Sequence, residues 1–174
     1  MVVMDEAYYE YVTRPDFPRS IARVREGRNV FVLRTFSKIY GLAGLRVGYG
    51  IARDELITDL NRVRAPFNVN SLAQAGALAC LDDHEHVRRC LEVNEAGCQY
   101  LYRVLEELGL EYVPTEANFI LVNVGKARET FNKLLPMGVI VRPMDGYDLP
   151  EHIRLSIGMQ DENEKFVKAI KKLI

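Results

Sequence analysis

No apolar run in these 174 residues approaches the roughly 20 needed to cross a bilayer. The opening Met-Val-Val-Met-Asp-Glu also lacks the form of a signal peptide. No membrane role is expected. An excess of one charge is missing too: 23 Lys and Arg stand against 24 Asp and Glu, a net charge of −1. Nucleic acid and anionic surfaces call for a basic excess, so neither is an expected partner. The three cysteines (Cys80, Cys90, Cys98) are odd in number and form no CxxC pair, and a reduced, cytoplasmic setting is expected. There is no internal repeat, low-complexity tract or charge run. What is present is 48% apolar and 27% charged sequence, which excludes a disordered chain. A chain of this length buries enough surface to fold without a disulfide or metal staple.

Hydrophobic periodicity alternates between two and 3.6, the pattern of an α/β fold. Strands are expected at Val2-Val3-Met4, Asn29 to Leu33, Val47 to Ala52, Asn118 to Val124, Val139 to Arg142 and His152 to Ile157. Helices are expected over Ser20 to Glu26, Asp54 to Val63, Ser71 to Leu81 with Ser71 as cap, His84 to Leu108, Ala127 to Leu135 and Glu162 to Ile174. Only three short strands precede the long helix, and the first begins at the initiator methionine. That pattern reads as the back half of a larger, mainly parallel sheet. Three stretches are therefore expected: 1–70 as the remainder of a large domain, 71–108 as a helical connection and 109–174 as a small α/β domain.

Four features in the first quarter belong together. Asp5 follows an apolar strand, where ligands of open α/β sheets are met. Tyr8 comes three residues later. Lys38 closes Thr35-Phe36-Ser37-Lys38 directly after the second strand, and Arg46 follows across Gly41-Leu42-Ala43-Gly44-Leu45. A lysine raised above a sheet edge and partly desolvated is a Schiff-base nucleophile. Were its target the aldehyde of pyridoxal phosphate, the pyridine nitrogen would need a carboxylate, the phenolic oxygen a donor, and the phosphate a guanidinium with hydroxyls. Asp5, Tyr8 and the set Arg46, Thr35 and Ser37 meet those needs.

These segments resemble the aspartate-aminotransferase-like, fold-type-I family of pyridoxal-phosphate enzymes. Asp5-Glu6-Ala7-Tyr8 matches its DxxY motif, and the stretch from Thr35 to Tyr49 (TFSKIYGLAGLRVGY) matches its cofactor-lysine segment. Glu116-Ala117-Asn118-Phe119, Val141-Arg142-Pro143 and the run from His152 to Gly158 (HIRLSIG) bring the wording nearest to the histidinol-phosphate aminotransferase branch. The resemblance implies that Lys38 holds pyridoxal 5′-phosphate and carries the proton between substrate Cα and the cofactor. Asp5 would then pair with the pyridinium, Tyr8 donate to the 3′-oxygen, and Arg46, Ser37 and Thr35 bind phosphate. Arg154 resembles the arginine that clamps the substrate α-carboxylate, Arg142 a second arginine for the phosphate-bearing end, and Asn118 a further substrate contact. Family members are about twice this long. Their other half carries the phosphate-cradling loop, a stacking aromatic and an asparagine near the 3′-oxygen, so the chain resembles the C-terminal half of a homodimeric enzyme.

The expected reaction is transamination of histidinol phosphate with 2-oxoglutarate, in histidine biosynthesis. A pyridoxal-phosphate decarboxylase of a phosphorylated amino acid and a non-catalytic fragment are the alternatives. Cys80, His84, His86 and Cys90 contain two i,i+4 pairs. Asp82-Asp83 breaks the helix between them and no second pair has structural-zinc spacing, so no metal is expected. Gly41 to Gly50 matches no dinucleotide fingerprint. The Tyr8-Tyr9-x-Tyr11 cluster lacks the basic groove of a base-stacking platform and is read as packing around the site.

Overall fold

The computed structural model describes residues 1–174. The chain divides after Arg88 into two units, Met1–Arg88 and Arg89–Ile174, a division inside the stretch read as the connection.

The first unit is built on a three-stranded sheet of β1 (Val2–Asp5), β2 (Val30–Thr35) and β3 (Gly48–Ile51), in that spatial order. Helix α1 (Ser20–Arg25) lies on the crossover from β1 to β2, which lets these strands pair in parallel with Asp5 opposite Leu33. The segment from Phe36 to Val47 carries no crossover helix, so β3 returns antiparallel and sets Gly48 opposite Thr35. The expected mainly parallel sheet therefore has one parallel pairing and one antiparallel pairing. A Cβ on Gly48 would come 2.7 Å from the Arg34 carbonyl oxygen, so glycine is what lets β3 close against β2 there.

Two helices follow, α2 (Asp54–Val63) and α3 (Ser71–Leu81). The cap of α3 falls one residue earlier than expected. Asn70 keeps an extended backbone and its Oδ1 accepts the Ala73 N–H at 2.8 Å, while Ser71 is already helical. Asn70→Ala is expected to destabilise the fold by about 1 kcal/mol, measured as a lowered thermal midpoint; an unchanged midpoint would make the cap irrelevant. Ala73 and Ala77, one turn apart, pack on Phe36 and Val47, which bracket the lysine loop.

The long helix α4 (His84–Glu107) starts before the division and turns Cys98, Leu101, Val104 and Leu105 inward in the second unit. Then come β4 (Tyr112–Val113), β5 (Phe119–Asn123), α5 (Ala127–Leu134), β6 (Arg142–Met144), β7 (Leu149–Ser156) and α6 (Gln160–Ile170). The four strands form an antiparallel sheet in the order β4-β5-β7-β6. Ile120 and Val122 of β5 and Ile153 and Leu155 of β7 alternate onto one face, where they meet Leu101, Leu105, Leu134, Phe166 and Ile170. The strand expected over Val139 to Arg142 is displaced. Val139 and Val141 are buried without strand pairing, and β6 begins only at Arg142. Their apolar character marks burial rather than pairing, because a three-residue 3₁₀ turn and left-handed Gly138 deliver the chain into the core before it reaches β7. The short β4 carries too little pattern to be legible. Helix α6 starts two residues earlier than expected and stops at Ile170, with the Glu162 carboxylate accepting the Met159 N–H at 2.8 Å.

Candidate active site

The carboxyl ends of the parallel strands β1 and β2 place the candidate residues of the first unit. Asp5 is the last residue of β1. Its Oδ1 accepts the Ala7 N–H at 3.1 Å, which turns the chain out of the sheet and leaves the carboxylate exposed. Tyr8 follows on that turn, before a 3₁₀ turn over Tyr9–Tyr11. Thr35 ends β2, and its Oγ1 accepts the Ser37 N–H at 3.0 Å while keeping its own O–H to donate. Lys38 is exposed, with Nζ 5.1 Å from the centroid of the Tyr8 ring. The two motifs are thus brought face to face, although 30 residues of sequence separate Tyr8 from Lys38.

Several contacts hold the lysine loop. The Gly41 N–H donates to the Lys38 carbonyl and the Leu42 N–H to the Phe36 carbonyl, both at 2.9 Å. Gly41 takes φ +71, a left-handed turn that glycine accepts without penalty. Phe36 stacks obliquely on Tyr40 and Tyr49, with centroids 5.2 and 5.6 Å away. His86 lies with Nε2 2.8 Å from the Ile39 carbonyl oxygen, an acceptor only, so this nitrogen carries the proton. A histidine weighed as a metal ligand is thus a prop beneath the lysine loop. Arg46 closes the segment at φ +54, uncommon for a residue with a Cβ, and its Nη1 donates to the Ala43 carbonyl at 2.7 Å. Such backbone strain concentrates at functional sites.

Residues that the sequence did not single out lie directly behind these loops. Glu6 is buried, and its Oε2 accepts from Arg34 Nε at 3.0 Å and Nη2 at 2.9 Å. The Arg34 guanidinium lies 3.6 Å over the Tyr9 ring. Burial works against the Arg34 charge, but its hydrogen bonds to the Glu6 carboxylate and the negative charge there outweigh it and hold the pKa above the usual arginine value. Burial pushes both Glu10 and Tyr40 above their ordinary values. The available signal was position alone: Glu6 lies inside the DxxY motif and Arg34 directly precedes Thr35.

The other three candidates belong to the second unit. Arg142 of β6 lies directly opposite Arg154 of β7 in the antiparallel register, on the sheet face away from the apolar core. Two like charges opposite one another disfavour the sheet unless an anion offsets them. The Arg154 guanidinium sits 5.0 Å over the Phe119 ring, and its Nε is buried with no hydrogen-bond partner. Arg142 leans on Tyr147, with Nη2 3.3 Å from the hydroxyl. Asn118 precedes β5, and its carbonyl accepts the Ile157 N–H at 2.9 Å.

A parallel-strand edge presenting an exposed lysine, a carboxylate and a left-handed arginine can anchor an aldehyde cofactor bearing a phosphate. An arginine pair with an orphaned donor can take a carboxylate or phosphate. The chain belongs to the aminotransferase class I and II family, whose profile matches residues 1–170. It is 56% identical over 176 residues to a histidinol-phosphate aminotransferase of Moorella thermoacetica, covering 100% of the chain and 46% of that protein. A histidinol-phosphate aminotransferase of Akkermansia muciniphila is 52% identical over 174 residues, covering 100% of the chain and 47% of that protein. Among solved structures, the histidinol-phosphate aminotransferase of Sinorhizobium meliloti in complex with pyridoxal-5′-phosphate superposes with a TM-score of 0.89 at 29% identity. It covers 100% of this chain and 50% of that one. The chain spans about half the length of the curated relatives it matches. No helix is long and apolar enough to cross a membrane.

Proposed function

We propose that this chain supplies the lysine-bearing part of the cofactor domain and the small domain of a pyridoxal-phosphate aminotransferase. The enzyme exchanges an amino group between histidinol phosphate and 2-oxoglutarate, working as a cytoplasmic homodimer. The observation that carries the reading is the approach of Lys38 Nζ to the Tyr8 ring at the ends of β1 and β2, beside Asp5. About 50% identity to named histidinol-phosphate aminotransferases supports the substrate.

The residues present fit the cofactor. Asp5, Lys38 and Arg46 are exposed, and none is joined in an ion pair within the protein, so their charges are available to a ligand. When bound, pyridoxal phosphate supplies an electron sink for the pair released from the substrate Cα–H bond. Lys38 Nζ would hold the aldehyde end of the cofactor and would move the proton at the substrate Cα. Asp5 keeps the pyridine nitrogen protonated, and the Tyr8 hydroxyl donates to the 3′-oxygen. Arg46, Ser37 and Thr35 bind the phosphate. Arg154 grips the substrate α-carboxylate, Arg142 the phosphate-bearing end, and Asn118 makes a further substrate contact. A fixed carboxylate limits the orientations open to the Cα–H bond.

Borohydride treatment of the complete polypeptide with pyridoxal phosphate should leave a pyridoxyl adduct on the peptide containing Lys38. An adduct spread over many lysines would overturn the assignment. Arg154→Lys should raise KM for the amino donor while leaving the Lys38 adduct intact. A charged hydrogen bond of about 1.5–3 kcal/mol corresponds to one to two decades in kcat/KM, and unchanged kinetics would make Arg154 structural.

A further inference from the structure

We propose that Glu6 and Arg34 are positioning residues, whose buried ion pair sets the separation of Asp5 and Tyr8 from Lys38. The proposal rests on the pyridoxal-phosphate reading above and adds to it two residues that touch neither cofactor nor substrate.

The parallel ladder ends with the Glu6 N–H donating to the Leu33 carbonyl at 2.9 Å. Beyond it the two strands turn into separate loops, and nothing in the ladder fixes one loop against the other. Glu6 directly follows Asp5, and Arg34 lies four residues before Lys38. Their side chains join at the point where the ladder gives out, through two donors onto one carboxylate oxygen. Side-chain exposure is 2% for Glu6 and 14% for Arg34. The guanidinium is pinned from another side by the Tyr9 ring. A two-donor arginine–carboxylate fork fixes both distance and orientation.

The pair joins the segment that carries Tyr8 to the segment that carries Lys38, and Lys38 Nζ meets the Tyr8 ring beyond it. Burying an ion pair is a poor device for stability, because well-packed apolar residues of the same volume serve as well or better. Setting the relative placement of two loops is what this pair does that an apolar pair would not. The other Glu6 oxygen, Oε1, is buried without a partner, so Arg34 alone holds this carboxylate in place.

The test uses the complete polypeptide with pyridoxal phosphate bound. Glu6→Gln keeps the volume and removes the charge. Val32→Ala, a core truncation in the same strand away from both loops, serves as a control for lost stability. Misplacing a reacting group by about 1 Å costs about a hundredfold in rate. Glu6→Gln should therefore lower kcat by about ten- to a hundredfold, with KM for the amino donor nearly unchanged. It should also alter the visible circular dichroism of the bound cofactor, which reads the tilt of its ring. Val32→Ala should lower the thermal midpoint and leave kcat and the dichroism as they were. Should Glu6→Gln fail to fold, the doubly neutral Glu6→Gln/Arg34→Gln protein takes its place, with the same expected changes. Wild-type kcat and dichroism in the folded variant would overturn the proposal. Absence of the Lys38 adduct in the unaltered polypeptide would overturn the functional reading itself, and this proposal with it.

Discussion

Replacement of Lys38 by alanine is expected to lower the transamination rate of the complete polypeptide by at least about a thousandfold. Removal of a positioned proton-transfer group alone costs about 10²–10⁴ in rate, and under the proposed function the covalent anchor for the cofactor would be lost with it. The loss is expected to be specific to this lysine. Lys38 is carried on a loop closed by its own backbone hydrogen bonds and propped by His86, and Nζ stands over the Tyr8 ring. Rate assays with histidinol phosphate and 2-oxoglutarate, together with the absorbance of bound cofactor, make the measurement. Activity above about a tenth of the original would remove Lys38 from the chemistry, since an ordinary surface lysine contributes little.

The second large effect concerns stability. Arg34→Ala should destabilise the protein by about 3–5 kcal/mol, because it leaves the Glu6 carboxylate buried without its cation. Whole proteins hold only about 5–15 kcal/mol, so this one change consumes a large fraction of the total. Urea denaturation followed by far-ultraviolet circular dichroism reads the change as a lowered midpoint. Exposed pairs such as Arg62–Asp59 and Arg23–Glu26 lie in water, and breaking either should cost at most about 1 kcal/mol. A loss from Arg34→Ala as small as those would mean that the Glu6 carboxylate is relieved in some other way. The surface pairs therefore provide the scale against which the buried pair is judged.

Most elements were legible because their signals are local. Helix α2 runs over Asp54–Val63 as its apolar spacing indicated, and α4 begins at His84 and ends at Glu107, one residue short of the expected Leu108. The strands β1, β2 and β7 are displaced by one to three residues at their ends. Where sequence reading went astray, a tertiary contact outweighed a local pattern. The Val139–Val141 run is apolar because it fills the core, yet it has no strand partner. Asn70 displaced Ser71 as cap because either residue can accept the helix N–H, and the backbone decided which one stands just outside the helix. Gly97, inside α4, has no local reason to be glycine. A Cβ there would come 2.7 Å from Ile157 Cγ2 and 2.9 Å from Asn163 Nδ2, both distant in sequence.

By itself the sequence determined the chemistry on offer: a lysine on a loop after a strand, a carboxylate and tyrosine after another, an arginine beyond a glycine turn, and two later arginines. Residue types and spacing suffice for that, because each functional group must be covalently present and each turn needs its own residues. Only the tertiary structure decided how these groups meet. The parallel pairing of β1 with β2 brings Tyr8 to Lys38, and the register of β6 with β7 sets Arg142 opposite Arg154. The same folding removed Glu6 from water and gave it Arg34. The physical reason is that periodicity reports which face of an element is apolar. Strand order and register, together with the desolvation of a charge, arise from contacts between segments far apart in the chain.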